Sequence, residues 1–262
     1  MQQQRMLDSM LVPVFFDSGS AEAKAALEDM LRTLLEDRRL VVESYHADHV
    51  LTDTGRDSVR VDVSARDGDD RRLALVLQPV ADEEVYPRAV FEAATMIVRS
   101  LPAGHPYSDL ERVVAIFVTP QDLEEQGEAA YRYQATRADN TEKIMPAAPE
   151  YIFLNGTFRD KKTKIGRIIA DIMEPDPERM RTPLLRRRMN FLKNTEEGRK
   201  KLEAALEQYL QERDQRQARE RLFKLVGDGK LTAVEAAAEA GMSEEDFSSA
   251  MQAHASQSGA EV

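Results

Sequence analysis

Residues 58–88 read SVRVDVSARDGDDRRLALVLQPVADEEVYPR, and two apolar runs in this stretch decide the fold class. Val59-Arg60-Val61-Asp62-Val63 alternates apolar and polar residues, the period-two pattern of a half-buried strand. Leu73-Ala74-Leu75-Val76-Leu77-Gln78 is continuously apolar up to its last residue, as in a strand covered on both faces. Asp67-Gly68-Asp69-Asp70 lies between them, and Asp-Gly is a strong hairpin signal. Asp62 interrupts a strand that otherwise wants burial. A carboxylate there is costly unless a cation, a donor or a metal meets it. By itself it also fits a strand Asp paired with Arg60 or Arg88.

Reading outward, the stretch resembles a known family. Arg60-Val61-Asp62-Val63, then Asp67-Gly68, then Gln78, then Arg88 follow the pattern of the PD-(D/E)XK nuclease family transposases, the Rpn-type recombination-promoting nucleases. That family places an Asp on one strand of a hairpin and an acidic-x-Lys/Gln triplet on the next. The resemblance implies that Asp62 binds Mg²⁺ and that Gln78 takes the place that orients the attacking water. It also implies that Arg88 steadies a DNA phosphate. One position departs: where the family carries its second metal-binding acid, this chain has Val76. Paired carboxylates on adjacent strands repel one another unless a hard cation lies between them, and Mg²⁺ takes oxygen ligands and activates water against a phosphodiester. A valine supplies no ligand, so the fold survives a change that impairs or abolishes the chemistry. Glu92 is the spare acid of interest, because some nucleases of this fold carry the acid on the helix behind the sheet. The loop acids Asp82, Glu83 and Glu84 are a second source.

The likeness continues along the chain. Ala115-Ile116-Phe117-Val118 with Asp122, Tyr131-Arg132-Tyr133, Tyr151-Ile152-Phe153-Leu154-Asn155-Gly156, Lys164 through Met180 and Leu184–Gly198 each follow a family stretch in order. It implies a mixed α/β, restriction-endonuclease-like core in the order α-β-β-β-α-β, followed by a helical C-terminal region.

Composition sets bounds. The chain has 262 residues, 42% hydrophobic and 32% charged, and a net charge of −11. That allows one moderate core with extra helices, or two small domains. No apolar run approaches the roughly 18 residues of a membrane span, and no signal peptide is legible at the start. Cysteine is absent, which excludes disulfides and thiolate metal sites and suits a reducing cytoplasm. The acidic balance opposes non-specific nucleic-acid binding. Gly156–Lys201 is the exception, with 14 Lys/Arg against 7 Asp/Glu.

Element by element, Ser20 reads as an N-cap for a helix over Ala21–Arg38 with a stripe of Ala23, Ala26, Leu27, Met30, Leu31, Leu34 and Leu35. Leu40–Leu51 reads as a strand on which His46 and His49 point to opposite faces, so no zinc site is expected. Tyr86–Leu101 reads as a helix whose core stripe is Val90, Phe91, Ala94, Ile97 and Val98. The arginines Arg186, Arg187 and Arg188 cannot share one helical face. Thr195–Gly227 reads as a long charged helix, and Leu231–Met251 as a helix pair shaped like a helix-turn-helix. Lys230 is the last Lys or Arg of the chain, so this pair is expected to serve packing or homo-oligomerisation, since DNA reading needs bases and amides. Ala253–Val262 reads as a disordered end.

The division expected is residues 1–156 as the nuclease-like core, 157–227 as a basic helical region with the long helix, and 228–262 as the helix pair and tail. The function implied is a Mg²⁺-dependent DNA endonuclease associated with transposition or recombination, its catalysis impaired by Val76. The competing reading is a catalytically inactive nuclease-fold module that binds nucleic acid or protein. A helical adaptor is a third.

Overall fold

The computed structural model describes residues 5, 6, 8, 10–51, 59–80 and 82–258. The polar turn read at Thr52–Asp57 lies outside them, as do the side chains of His49 and Arg60. The elements run α1 (Val12–Phe15), α2 (Ala21–Leu34), β1 (Val42–Leu51), β2 (Val59–Asp67), β3 (Arg71–Leu77), α3 (Val85–Ser100), β4 (Arg112–Thr119), β5 (Ala130–Gln134), β6 (Thr136–Arg137), β7 (Asn140–Ile144), β8 (Glu150–Asn155), α4 (Lys164–Ile172), α5 (Pro183–Asn194), α6 (Glu196–Gly227), α7 (Ala233–Ala240) and α8 (Glu244–Ser258). The expected α-β-β-β-α-β order is therefore built as α2-β1-β2-β3-α3-β4. It belongs to a six-stranded mixed sheet ordered β1-β2-β3-β4-β8-β5.

The chain forms two compact units. The first holds Met1–Leu51 and Val59–Ala205, with apolar layers on both faces of the sheet. One face joins Leu73, Leu75, Leu77, Ile116, Val118 and Leu154 to residues of α1, α2, α4 and α5. The other joins Ala74, Val76, Ala115, Phe117 and Phe153 to Val85, Ala89, Ala93 and Met96 of α3. Burial on both faces is what the continuous apolar run of β3 requires.

The hairpin between β2 and β3 turns on its carboxylates rather than on Gly68. Asp67 is buried, accepts the amides of Asp69 and Arg71, and pairs with the Arg71 guanidinium at 2.6 Å. Asp70, at φ 58°, takes the left-handed conformation that the Asp-Gly reading assigns to the glycine. The stripe of α2 is as read, with Ala23, Ala26, Leu27, Met30, Leu31 and Leu34 buried. The helix ends at Leu34, before Arg38, and Glu36 then enters the left-handed region at φ 56°.

Two further side chains fix the first unit. Arg188 is buried and donates to the carbonyls of Phe15 (2.9 Å) and Val14 (2.6 Å), closing the end of α1, while Arg186 and Arg187 face solvent. Asp171 of α4 is buried and accepts the amides of Arg181 (2.9 Å) and Thr182 (2.6 Å). Thr182 gives α5 no side-chain cap, and the Asp171 carboxylate instead holds the two residues that lead into the helix. Asp171→Ala strands these amides and is expected to cost about 3 kcal/mol of unfolding free energy, measurable by urea denaturation. Asp171→Asn, which keeps one acceptor, is expected to lose about half as much.

The second unit holds the chain from Leu206 on. Leu222 and Phe223 of α6 pack with Ala236 and Ala237 of α7 and Phe247 of α8. Thr232 and Glu235 form a reciprocal capping box, and Gly241 ends α7 at φ 66°. Helix α8 runs through Ser258, past the point at which the sequence reads as a disordered end. Among the described residues no helix is long and apolar enough to cross a membrane.

Candidate metal and phosphate site

The site grows out of the place where two strands part. The β2–β3 ladder ends at the pair Val63↔Leu75, while β2 remains paired to β1 as far as Leu51↔Val59. On the other side of β3, the Gln78 amide donates to the Val118 carbonyl of β4 at 2.9 Å. Amides alternate in direction along a strand, so the Leu77 N–H points into the gap that β2 has left. Asp62 fills that gap: its Oδ2 accepts the Leu77 N–H at 2.5 Å. The carboxylate that the sequence marks as out of place thus stands in for a missing strand acceptor, beside the triplet Val76-Leu77-Gln78.

Period two puts Val76 and Gln78 on the face covered by α3. Val76 is 2% exposed and packs among the residues of that layer, and Gln78 is 7% exposed. The strand position that the family pattern gives to an acid is therefore apolar space here.

An acid reaches the same place from α3. The buried stripe of this helix is Val85, Ala89, Glu92, Ala93 and Met96. That corrects the expected one: Val90, Phe91 and Val98 are exposed, as is Ala94. Helical residues three, four and seven apart share a face, and Ala89, Ala93 and Met96 share theirs with Glu92. The small alanines beside it let the helix lie close to the sheet and carry the carboxyl inward. Glu92 is 1% exposed.

Arg88, one helical turn earlier, ties the groups together. Its Nε donates to Glu92 Oε1 at 2.7 Å, and its Nη1 reaches Gln78 Oε1 at 3.5 Å. Burial pushes the Glu92 carboxyl up from 4.5 to about 7, against the opposing pull of the Arg88 cation. The nearby Asp62 charge adds to the rise. Asp62, Gln78, Arg88 and Glu92 are therefore one constellation. Two of its atoms, Glu92 Oε2 and Gln78 Nε2, are buried without a hydrogen-bond partner among the described residues. A native fold matches such atoms with water, an ion or another ligand.

Other sequence candidates do not join. Asp82, Glu83 and Glu84 are exposed loop residues. No group of three or more His, Cys, Asp or Glu gathers among the described residues, and His46 is exposed on β1. A neighbouring polar cluster escaped the sequence reading. Tyr86 and Tyr133 both donate to Glu124, and Tyr131 donates to Asp122 at 2.7 Å. Tyr86 also packs edge-on against Phe153, which lies in the α3 layer. These partners come from α3, β5 and the connection after β4, and no local spacing links them.

The chemistry of the donor set suits a hard dication. Two carboxylates near enough to feel each other's charge, one with a buried spare oxygen, match the oxygen ligands that such ions take. Among comparisons with known proteins, no curated protein and no solved structure matches the chain. A family model described as PD-(D/E)XK nuclease family transposase matches residues 15–228. That span contains the sheet, the parted strands and all four residues of the constellation, and the chain belongs to the PD-(D/E)XK nuclease family transposases.

Proposed function

We propose that this protein is a transposition-associated DNA endonuclease that works with a divalent metal, Mg²⁺ in the cell, and that its second metal-binding acid is Glu92 on α3. The observation that carries the reading is the buried, unpartnered Oε2 of Glu92 beside the Asp62 charge. The family generally uses a divalent metal, and Val76 removes only the strand source of the acid. When bound, such an ion polarises the phosphodiester and lowers the pKa of water.

The chain's own residues have separate tasks. Asp62 and Glu92 hold the ion. Gln78 Nε2, buried and without an acceptor, donates to a phosphate oxygen or to the attacking water. An amide takes up no proton at neutral pH, so Gln78 orients and does not serve as a base. Arg88, half exposed beside the buried Glu92, meets the phosphate. DNA approaches a chain of net charge −11, so its phosphates are met by local cations such as Arg88, a contact that weakens as salt rises.

The test is nicking of supercoiled plasmid by purified protein with Mg²⁺ or Mn²⁺. The wild type is expected to nick, and Asp62→Ala and Glu92→Ala are each expected to lower the rate on the order of a hundredfold or more. Chelation is expected to stop it.

The second reading is an inactive nuclease fold that now binds nucleic acid or protein, with the C-terminal helices available to a second copy. It is favoured by Val76, which is packed as an ordinary core residue. A wild type that stays silent while Val76→Glu gains nicking would establish it.

A further inference from the structure

Arg88 serves one anion at a time. Its side chain is 47% exposed, whereas the Glu92 side chain it holds at 2.7 Å is 1% exposed. Of this ion pair, the carboxylate is enclosed and the guanidinium lies on the solvent side. Its second contact, to Gln78 Oε1 at 3.5 Å, is long and gives little hold. Solvent lies on its open side, where a phosphate would arrive.

A dication between Asp62 and Glu92 changes the balance. Glu92 keeps Oε2 for the ion, but three positive charges then share two carboxylates. The dication repels the guanidinium and competes with it for the Glu92 carboxylate. The guanidinium is the charge that can leave, and its planar fork matches a phosphate.

We infer that Arg88 is a removable counter-ion, which neutralises Glu92 when no dication is bound and passes to a phosphate when one binds, so that metal and DNA backbone bind cooperatively. This inference rests on the reading of Asp62 and Glu92 as the metal-binding pair. Coupling of this kind is reciprocal, so each ligand tightens the other by the same factor.

The experiment is calorimetric titration with Ca²⁺, an oxygen-seeking dication, at pH 8.5, with and without a short DNA duplex. The proteins are the full-length wild type, Arg88→Met and Asp62→Asn, with circular dichroism confirming native structure in each. In the absence of DNA, Arg88→Met is expected to bind Ca²⁺ about tenfold more tightly than the wild type. The duplex is expected to tighten Ca²⁺ binding to the wild type and to leave Arg88→Met unchanged. Equal or weaker Ca²⁺ binding by a folded Arg88→Met would overturn the inference and make Arg88 a fixed support for Glu92. A wild type that binds no Ca²⁺, or binding that Asp62→Asn leaves untouched, would remove the metal-site reading itself and the coupling with it.

Discussion

Glu92→Gln is expected to melt higher than the wild type at pH 8 while losing metal-dependent nicking. Burial lifts the Glu92 carboxyl from 4.5 to about 7 in the folded protein. The folded state therefore holds this proton more firmly than the unfolded chain does. The stabilisation is fully present below about pH 4.5 and is lost as pH rises through 7. At pH 8 the group is ionised in both states, and the fold carries a buried charge that Arg88 only partly offsets. The difference amounts to roughly 3 kcal/mol at most. Glutamine keeps the shape and an acceptor for the Arg88 Nε, and it needs no ionised form. Melting curves between pH 5 and 8 should show wild-type stability falling relative to the variant. The gap should reach about 5 °C at the upper end. The same substitution removes one of two carboxylates from the ion, so nicking should fall on the order of a hundredfold or more. A residue that costs stability and is needed for activity belongs to a site rather than to the core. A variant that melts lower at pH 8, or nicks like the wild type, would make Glu92 a structural residue.

Much of the fold was legible because it is written in local periods. The alternation around Asp62 and the unbroken run from Leu73 to Leu77 are both strands, and the α2 stripe buries as its spacing requires. Asp62 was legible for the opposite reason, as a carboxylate that breaks a period. What the strand pattern could not show is its partner atom, the Leu77 amide, because that bond depends on where the β2–β3 ladder stops. Helix α3 shows a second limit. Hydropathy phases a helix by its branched and aromatic residues, and three of these in α3, Val90, Phe91 and Val98, face outward. The inner face runs Val85, Ala89, Glu92, Ala93 and Met96, with two alanines beside the one acid. A stripe of alanines around a carboxyl is a weak apolar signal, and it is what a helix must carry to bring a charged group against a sheet. The resemblance raised Glu92 as a spare acid, and the burial that joins it to Asp62 comes from the crossover between β3 and β4.

The same geometry makes a strong prediction at the position that departs from the family. Val76 is 2% exposed and lies on the face of β3 that carries Gln78. Val76→Glu therefore places a third carboxylate among Asp62, Glu92 and the apolar residues of the α3 layer. Without metal, an unpaired buried charge next to two like charges is expected to cost about 3–5 kcal/mol. With Mn²⁺ present the variant should recover much of that loss, since a ligand that binds only the folded state stabilises it in proportion to the logarithm of its excess over Kd. The wild type should gain less from the same ion. The decisive arm is the double variant Val76→Glu with Glu92→Gln, which moves the acid from helix to strand and keeps two carboxylates at the ion. It is expected to restore nicking that Glu92→Gln alone has lost, because the metal depends on the position of the oxygens and not on the element that supplies them. A double variant as inert as Glu92→Gln, with Mn²⁺ still raising its melting temperature, would mean that the strand acid binds the ion in a place from which the scissile phosphate cannot be reached. Recovery of nicking would show that the helix and strand positions serve one metal, and that this chain has exchanged one for the other.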